Sequence, residues 1–199
     1  MRTLKLVVLL GIFVLSLSCV LSLHPLYTEK DLVVEPKLEG TWADKEGKEL
    51  WTFEKSGEKI YKLTIVQKEK SGESSEKSGA EESVKFDVHL VKLDSHIFMD
   101  LYPQEPDIKN AFYKWHLLPA HSFSRIWIEQ DIVRISMLSI DWFKKMIEKK
   151  KVKIAYEKID DNDNRFVLTS PTEKLQKFIL KYAEDSEAFP EPAELYRQK

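Results

Sequence analysis

The feature that most constrains the fold of this chain is a two-residue alternation of apolar and polar side chains. Segments 61–65 and 84–90 show it most clearly, with a large apolar residue at every second position. Neighbouring side chains of a β-strand point to opposite faces, so this period indicates strands with one buried face. Turn-forming residues separate eight apolar-rich segments along the chain. We predict strands at 38–43, 49–54, 61–65, 84–90, 96–102, 112–118, 123–128 and 132–137.

Eight consecutive strands with mostly short connections predict an antiparallel meander, either a closed barrel or a strongly curved sheet. The longest connection, 68–82, consists almost wholly of Lys, Glu, Ser and Gly. Such a stretch buries too little apolar surface to offset its ordering entropy, so we expect a surface loop.

After the last of these strands the apolar residues move to helical spacing. They predict a helix that begins at Ser139 or Asp141. Segments 153–157 and 165–169 then predict a short hairpin.

A second helix is predicted to begin with a capping box, formed by Ser170, Pro171 and Glu173. The proline-containing tail is extended and is expected to add an edge strand through Leu195 and Tyr196. The fold class is therefore mainly β (α+β), with about eight strands, two C-terminal helices and a short hairpin.

The first eighteen residues have the charge and length pattern of a signal peptide. Arg2 and Lys5 precede an apolar run over 6–17, and the run ends at Cys19, the single cysteine of the chain. This pattern predicts cleavage before Cys19 and attachment of lipid to its thiol. Two alternatives stay open. One is secretion without lipid; the other is an uncleaved helix, because apolar residues resume after Cys19 and extend the span.

Three short motifs carry resemblances. Segment 15–19, Leu-Ser-Leu-Ser-Cys, resembles the lipobox of bacterial lipoproteins. Segments 19–28 and 38–42 resemble the start of a group of uncharacterised bacterial lipoproteins, which implies an envelope address; that group brings no established activity or site residues with it. Gly40-Thr41-Trp42 resembles the Gly-x-Trp element that opens lipocalins. That resemblance implies a ligand-carrying barrel with Trp42 plugging its closed end.

The length of 199 residues suits one domain. We predict a signal peptide at 1–18, a lipidated cysteine with an extended lead-in at 19–37, and a single β-rich domain at 38–199. The 31 basic and 33 acidic residues become 29 and 33 without Arg2 and Lys5, a net charge near −4. Nucleic-acid binding starts from a basic field, so we exclude that class of partner.

Candidate binding and catalytic residues are tryptophans and histidines. Three tryptophans are candidates for ligand contacts, and packing on the sheet is the alternative for each. Two histidine pairs offer acid–base chemistry: a tight turn at 94–95 places one histidine opposite an aspartate, and two more are expected to face one another. Neither pair has a third ligand or a nucleophile, so no catalytic or metal site is predicted. The tryptophans are Trp42, Trp115 and Trp127, and the pairs are His89 with Asp100 and His116 with His121.

Two polar runs also have a functional and a plain interpretation. The run 160–164 has the density of Asp and Asn of a calcium loop, but Arg165 and Pro171 stand where an EF-hand needs Gly and Glu. We therefore predict an ordinary turn. A group of lysines either contacts anionic headgroups or forms a solvated helix face. These lysines are at 144, 145, 149, 150, 151 and 153.

Together these patterns predict a bacterial lipoprotein, lipid-anchored outside the cytoplasm at the outer membrane or the periplasmic face. Its body is expected to be a non-enzymatic interaction or binding module, without cofactor or metal, whose partner is an envelope protein or a small apolar ligand. The alternative is a lipocalin-like carrier of such a ligand. An enzyme is the third class, and it requires the histidine pairs to converge in a cleft.

Overall fold

The computed structural model describes residues 20–68, 82–160 and 165–199. Cys19 and the predicted signal peptide lie outside these ranges, as do 69–81 of the predicted loop and 161–164 of the predicted turn. The strands are β1 (Leu21–Ser22), β2 (Leu32–Val33), β3 (Gly40–Ala43), β4 (Glu49–Lys55), β5 (Tyr61–Gln67), β6 (Glu82–Leu93), β7 (His96–Pro103), β8 (His121–Ile128), β9 (Ile132–Met137), β10 (Tyr156–Asp160), β11 (Arg165–Leu168) and β12 (Ala193–Arg197). The α-helices are α1 (Ala111–Lys114), α2 (Ile140–Glu148) and α3 (Thr172–Lys181).

Eight of the strands form a closed antiparallel barrel. From β3 to β9 each strand pairs with the next along the chain. β9 then pairs with β12, and β12 pairs with β3 to complete the ring. The predicted fold class is confirmed, and the barrel is the form that the meander takes.

One predicted strand is wrong, and another segment takes its place. Segment 112–118 is not a strand: α1 begins after Asn110, whose side-chain oxygen accepts a hydrogen bond from the backbone N–H of Tyr113. Most of its large side chains are exposed, so no core contact holds the segment in the sheet. The C-terminal tail was expected to be an edge strand. Instead it forms β12, which pairs with β3 on one side and with β9 on the other and so closes the barrel.

The barrel wall separates two hydrophobic cores. One fills the interior, and the other lies between the outer face of β6, β7 and β8 and the helices α2 and α3. Strand β6 contributes to both cores, because its side chains alternate between the two faces of the wall. Leu90 points into the interior core, and its neighbour Val91 points into the outer core. The interior core includes Trp42, Phe53, Leu63, Leu90 and Met99, and the outer core includes Val91, Phe98, Phe123, Phe143 and Ile179.

The two C-terminal helices are present, but only the first begins as predicted. Ser139 caps α2, its hydroxyl accepting from the N–H of Trp142. The capping box of α3 is wrong: the Ser170 hydroxyl accepts from the N–H of Ala155 at 3.0 Å, and Pro171 takes the cap position. The hydroxyl joins the helix to the segment before β10, so it is not available to its own helix.

The N-terminal segment 20–38 is built into the domain. Val20 is buried in the outer core, and β1 runs antiparallel to β8 and parallel to β11. β2 pairs with β6, and a 3-10 helix over Pro36–Leu38 leads into β3. Residues between β1 and β2 cross the outer wall of the barrel. No helix in the described part of the chain is long and apolar enough to cross a membrane.

Candidate functional site

A pocket of about 570 Å³ opens on the outer wall of the barrel, where the N-terminal segment crosses it. Strand alternation turns Asp87 and His89 of β6 to this outer side, and the register sets Tyr102 and Asp100 of β7 opposite them. Four rings line the pocket, from Tyr27, His89, Tyr102 and His121. Its volume lies within the range of small-molecule sites.

A buried carboxylate orients one of these rings. Asp100 is fully buried; its Oδ1 lies 2.7 Å from Nδ1 of His121, and its Oδ2 accepts from the N–H of Leu26 at 2.7 Å. A carboxylate only accepts hydrogen bonds, so Nδ1 of His121 carries the proton. Nε2 of His121 has no hydrogen-bond partner within the described ranges and is left for a ligand or a proton.

His89 supplies an unpartnered polar atom. Its ring stacks on Tyr27 with the centroids 4.2 Å apart. Its buried Nδ1 has no hydrogen-bond partner among the described residues. Burial lowers the pKa of His89, although Asp100 and Asp87 oppose the shift. A neutral, buried imidazole nitrogen beside a pocket suits a ligand that completes its hydrogen bond.

The tyrosines of the pocket pack against the histidines. Burial, followed by the charge of Asp100, raises the pKa of Tyr27 to about 12, so its hydroxyl stays protonated. Tyr102 lies against His121 with the centroids 4.6 Å apart. Asp87 accepts a hydrogen bond from Nε2 of Gln104 at 2.7 Å.

The histidine predictions are partly confirmed. His89 does lie opposite Asp100 in the register, but the Asp100 carboxylate bonds to His121. The pairing of His116 with His121 is wrong, because His116 is exposed and its Nδ1 contacts the carbonyl of Phe112. Sequence reasoning missed Tyr27 and Tyr102. The position of Tyr102, two residues after Asp100 on the same strand face, was a usable signal.

The three candidate tryptophans do not share a site. Trp42 is fully buried at one end of the barrel, whereas Trp115 is 82% exposed at the end of α1. Trp127 lies half-buried on β8, with the Arg125 guanidinium 4.6 Å from its ring centroid. None of them lines the outer-wall pocket.

Trp42 and Arg197 seal the end of the barrel near the 3-10 helix. Nε1 of Trp42 donates to the carbonyl of Leu38 at 2.9 Å, and the Arg197 guanidinium stacks 4.1 Å from the Trp42 ring centroid. That guanidinium also donates to backbone carbonyls. Gly40 makes room for it, since a Cβ there would lie 2.9 Å from Nη1. The carbonyls belong to Lys37, Glu39 and Gln130.

The remaining polar candidates lie apart from the pocket. The lysines predicted near α2 sit mostly at the surface, Lys144 within 3.7 Å of Asp141 and Lys145 within 3.5 Å of Glu187. Within the described residues, no group of three His, Cys, Asp or Glu side chains could hold a metal ion. The Asp-rich turn at 161–164 lies outside those residues.

No protein-family model matches the chain, and neither a curated protein nor a solved structure does.

Proposed function

We propose that this protein is an exported bacterial lipoprotein, anchored through Cys19, whose barrel domain binds a small molecule in the outer-wall pocket without transforming it. The observation that carries the binding role is the pocket, in which a buried Asp100 orients His121 and His89, also in the lining, has a buried nitrogen without a partner among the described residues. Polar groups arranged in this way around an apolar wall give a ligand orientation and specificity.

The anchor is supported by the short distance along the chain between Cys19 and the folded domain. Val20 is buried and Leu21 is paired in β1, so the residue next to Cys19 is already part of the folded domain. Lipid on Cys19 would hold the globule close to the bilayer.

A lipocalin-like carrier is less well supported by the geometry. Large side chains fill the barrel around Trp42, Phe53 and Met99, and the pocket lies outside the wall. A ligand is therefore better accommodated on the outer wall than within the barrel.

An acid–base enzyme is the second candidate, and the Asp100–His121 pair is the observation that favours it. An imidazole held by a buried carboxylate is a suitable general base. No Ser, Thr or Cys stands among the described residues that line the pocket, so the nucleophile would be an activated water or one of the lining side chains, such as the Asp87 carboxylate. Hydrolysis of p-nitrophenyl acetate or p-nitrophenyl phosphate that disappears in His121→Asn would favour this class.

Two measurements on the full chain test the main proposal. In bacteria fed labelled palmitate, the parent should take up label and sediment with membranes, and Cys19→Ala should do neither. Native mass spectrometry of the parent in mild detergent should show a small-molecule adduct. Leu118→Trp, which places an indole over the pocket from an exposed position, should lose the adduct, and Val34→Trp, away from the pocket, should keep it.

Equal labelling of the parent and Cys19→Ala would overturn the anchor. An adduct that survives in Leu118→Trp would overturn the assignment of the pocket, and its absence from the parent would overturn the binding role.

A further inference from the structure

The outer-wall pocket has a negative electrostatic character. Asp87 lies on its wall, and Asp100 lies buried behind His121. No lysine or arginine is found among the described residues that line it. The same field acts on Tyr27, whose pKa is raised by burial first and then by Asp100, Glu29 and Asp87. An anionic ligand is therefore repelled here, and a cationic ligand is attracted.

The adjoining pocket does not change this character. It shares Tyr102, Leu118 and Pro119 with the first, and its single lysine, Lys114, is paired with Glu105 at 2.8 Å. The charge of Lys114 is thus already neutralised. Lys62 stands opposite Asp87 in the register of β5 and β6, but it is not among the residues that line the pocket and forms no ion pair with Asp87 in the described structure.

Two tyrosine rings line the pocket, each packed against a histidine ring, and they are the aromatic groups that a cation in the pocket could contact. Tyr27 stacks on His89, and Tyr102 lies against His121. The face of a tyrosine ring attracts a positive charge within about 6 Å of its centroid. His89 adds no opposing charge near pH 7.5, because burial lowers its pKa from the ordinary 6.5.

We infer that the pocket binds an organic cation, a protonated amine or a quaternary ammonium, held by Asp87 and by the tyrosine rings. The apolar side chains of Leu23, Pro25 and Leu118 contact the hydrocarbon part of the ligand. This inference rests on the proposed function, since it names the ligand class of the same pocket.

Choline and its uncharged carbon isostere, 3,3-dimethylbutan-1-ol, form the matched pair of probes, with acetate as the anion. Each is titrated into the full-length protein in detergent at pH 7.5, and the imidazole NMR signals of His89 and His121 report binding. Choline is expected to shift both signals and to bind at least about 10-fold more tightly than the isostere, a difference that one charge-dependent contact can supply.

Asp87→Asn isolates the charge. The amide oxygen still accepts from Gln104, so the fold is kept while the negative charge is lost. Choline should bind about 10-fold more weakly to this variant, and the isostere should bind unchanged. Asp107→Asn, an exposed carboxylate between β7 and α1, should alter neither affinity.

Equal affinities for choline and the isostere, or binding of acetate in their place, overturn the cation inference and leave a ligand-binding pocket. A complete lack of shifts with all three probes also overturns it. The proposed function is then decided separately, by the adduct compared between the parent and Leu118→Trp.

Discussion

The sealed end of the barrel and the outer-wall pocket use similar side chains in different ways. At the sealed end, the polar atoms of Trp42 and Arg197 donate to backbone carbonyls. In the pocket, Nδ1 of His89 has no partner among the described residues, and a single nitrogen of His121 is engaged. One region is closed by its own hydrogen bonds, and the other keeps hydrogen-bonding capacity unused.

This difference separates a structural role from a binding role. A buried polar atom with a partner stabilises the fold, whereas one without a partner costs free energy. Trp51 Nε1 and Ser124 Oγ also lack partners in the described structure, but neither residue lines the pocket. The unpartnered atom of His89 differs because it belongs to a residue that lines an opening large enough for a ligand.

The largest effect is expected from Trp42→Ala at the sealed end. It removes a fully buried indole and the surface on which Arg197 stacks, so the free energy of unfolding should fall by about 3–5 kcal/mol. Urea unfolding measures the loss. Trp115→Ala, at a position 82% exposed, is the control and should change stability by less than about 0.5 kcal/mol. Similar losses in both variants would contradict the assignment of Trp42 as the seal.

Asp100→Asn should give the next largest loss. The carboxylate accepts from both Leu26 and His121, and an amide has one oxygen for these two donors. We expect a loss of about 2–3 kcal/mol in the free energy of unfolding, from a charge-assisted bond and a buried donor left unmet. Asp87→Asn, whose bond to Gln104 survives, should cost much less in the same urea titration. A near-neutral Asp100→Asn would show that the pocket does not depend on the buried pair.

Gly40→Ala tests how closely Arg197 approaches the chain at the sealed end. Gly40 has φ of 121°, and a Cβ there would lie 2.9 Å from Nη1 of Arg197. The variant should lose about 1–3 kcal/mol of unfolding free energy. Gly47→Ala also has a positive φ but meets nothing within 4 Å, so thermal unfolding should show a smaller loss, about 1 kcal/mol. Equal losses in Gly40→Ala and Gly47→Ala would show that the loss in Gly40→Ala comes from backbone strain alone and not from contact with Arg197.

The smallest effect is a pH dependence in the pocket. The pKa of His89 is lower in the folded chain than its ordinary 6.5, so below pH 6.5 the unfolded chain binds more protons. The stability that His89 contributes is present above pH 6.5 and is lost as the pH falls towards the folded pKa. Asp100 and Asp87 oppose this loss, and His121 adds to it.

His89→Phe keeps a ring for Tyr27 to stack on and cannot titrate. The difference in unfolding free energy between the parent and His89→Phe should therefore change between pH 7.5 and pH 5, to the disadvantage of the parent at low pH. A difference that stays constant across this range would contradict the assigned burial of His89.

Local patterns predicted much of the barrel because a strand's side-chain period is a property of the strand itself. The tight turn at 94–95 was enough to set His89 opposite Asp100. Segment 112–118 was misassigned because its apolar residues look like strand residues, and the sequence does not show that nothing covers them. The capping role of Ser170 failed for a related reason: its hydroxyl had a distant competitor, the N–H of Ala155.

The amino-acid sequence by itself determined most strand segments of the barrel, the helix that follows them and the facing positions of β6 and β7, because these depend on neighbours in the chain. Only the tertiary structure decided that β12 closes the barrel, that Asp100 bonds to His121 and that Tyr27 stacks on His89. Those contacts join residues far apart in sequence, and Tyr27 reaches His89 because the N-terminal segment crosses the outer wall of the barrel.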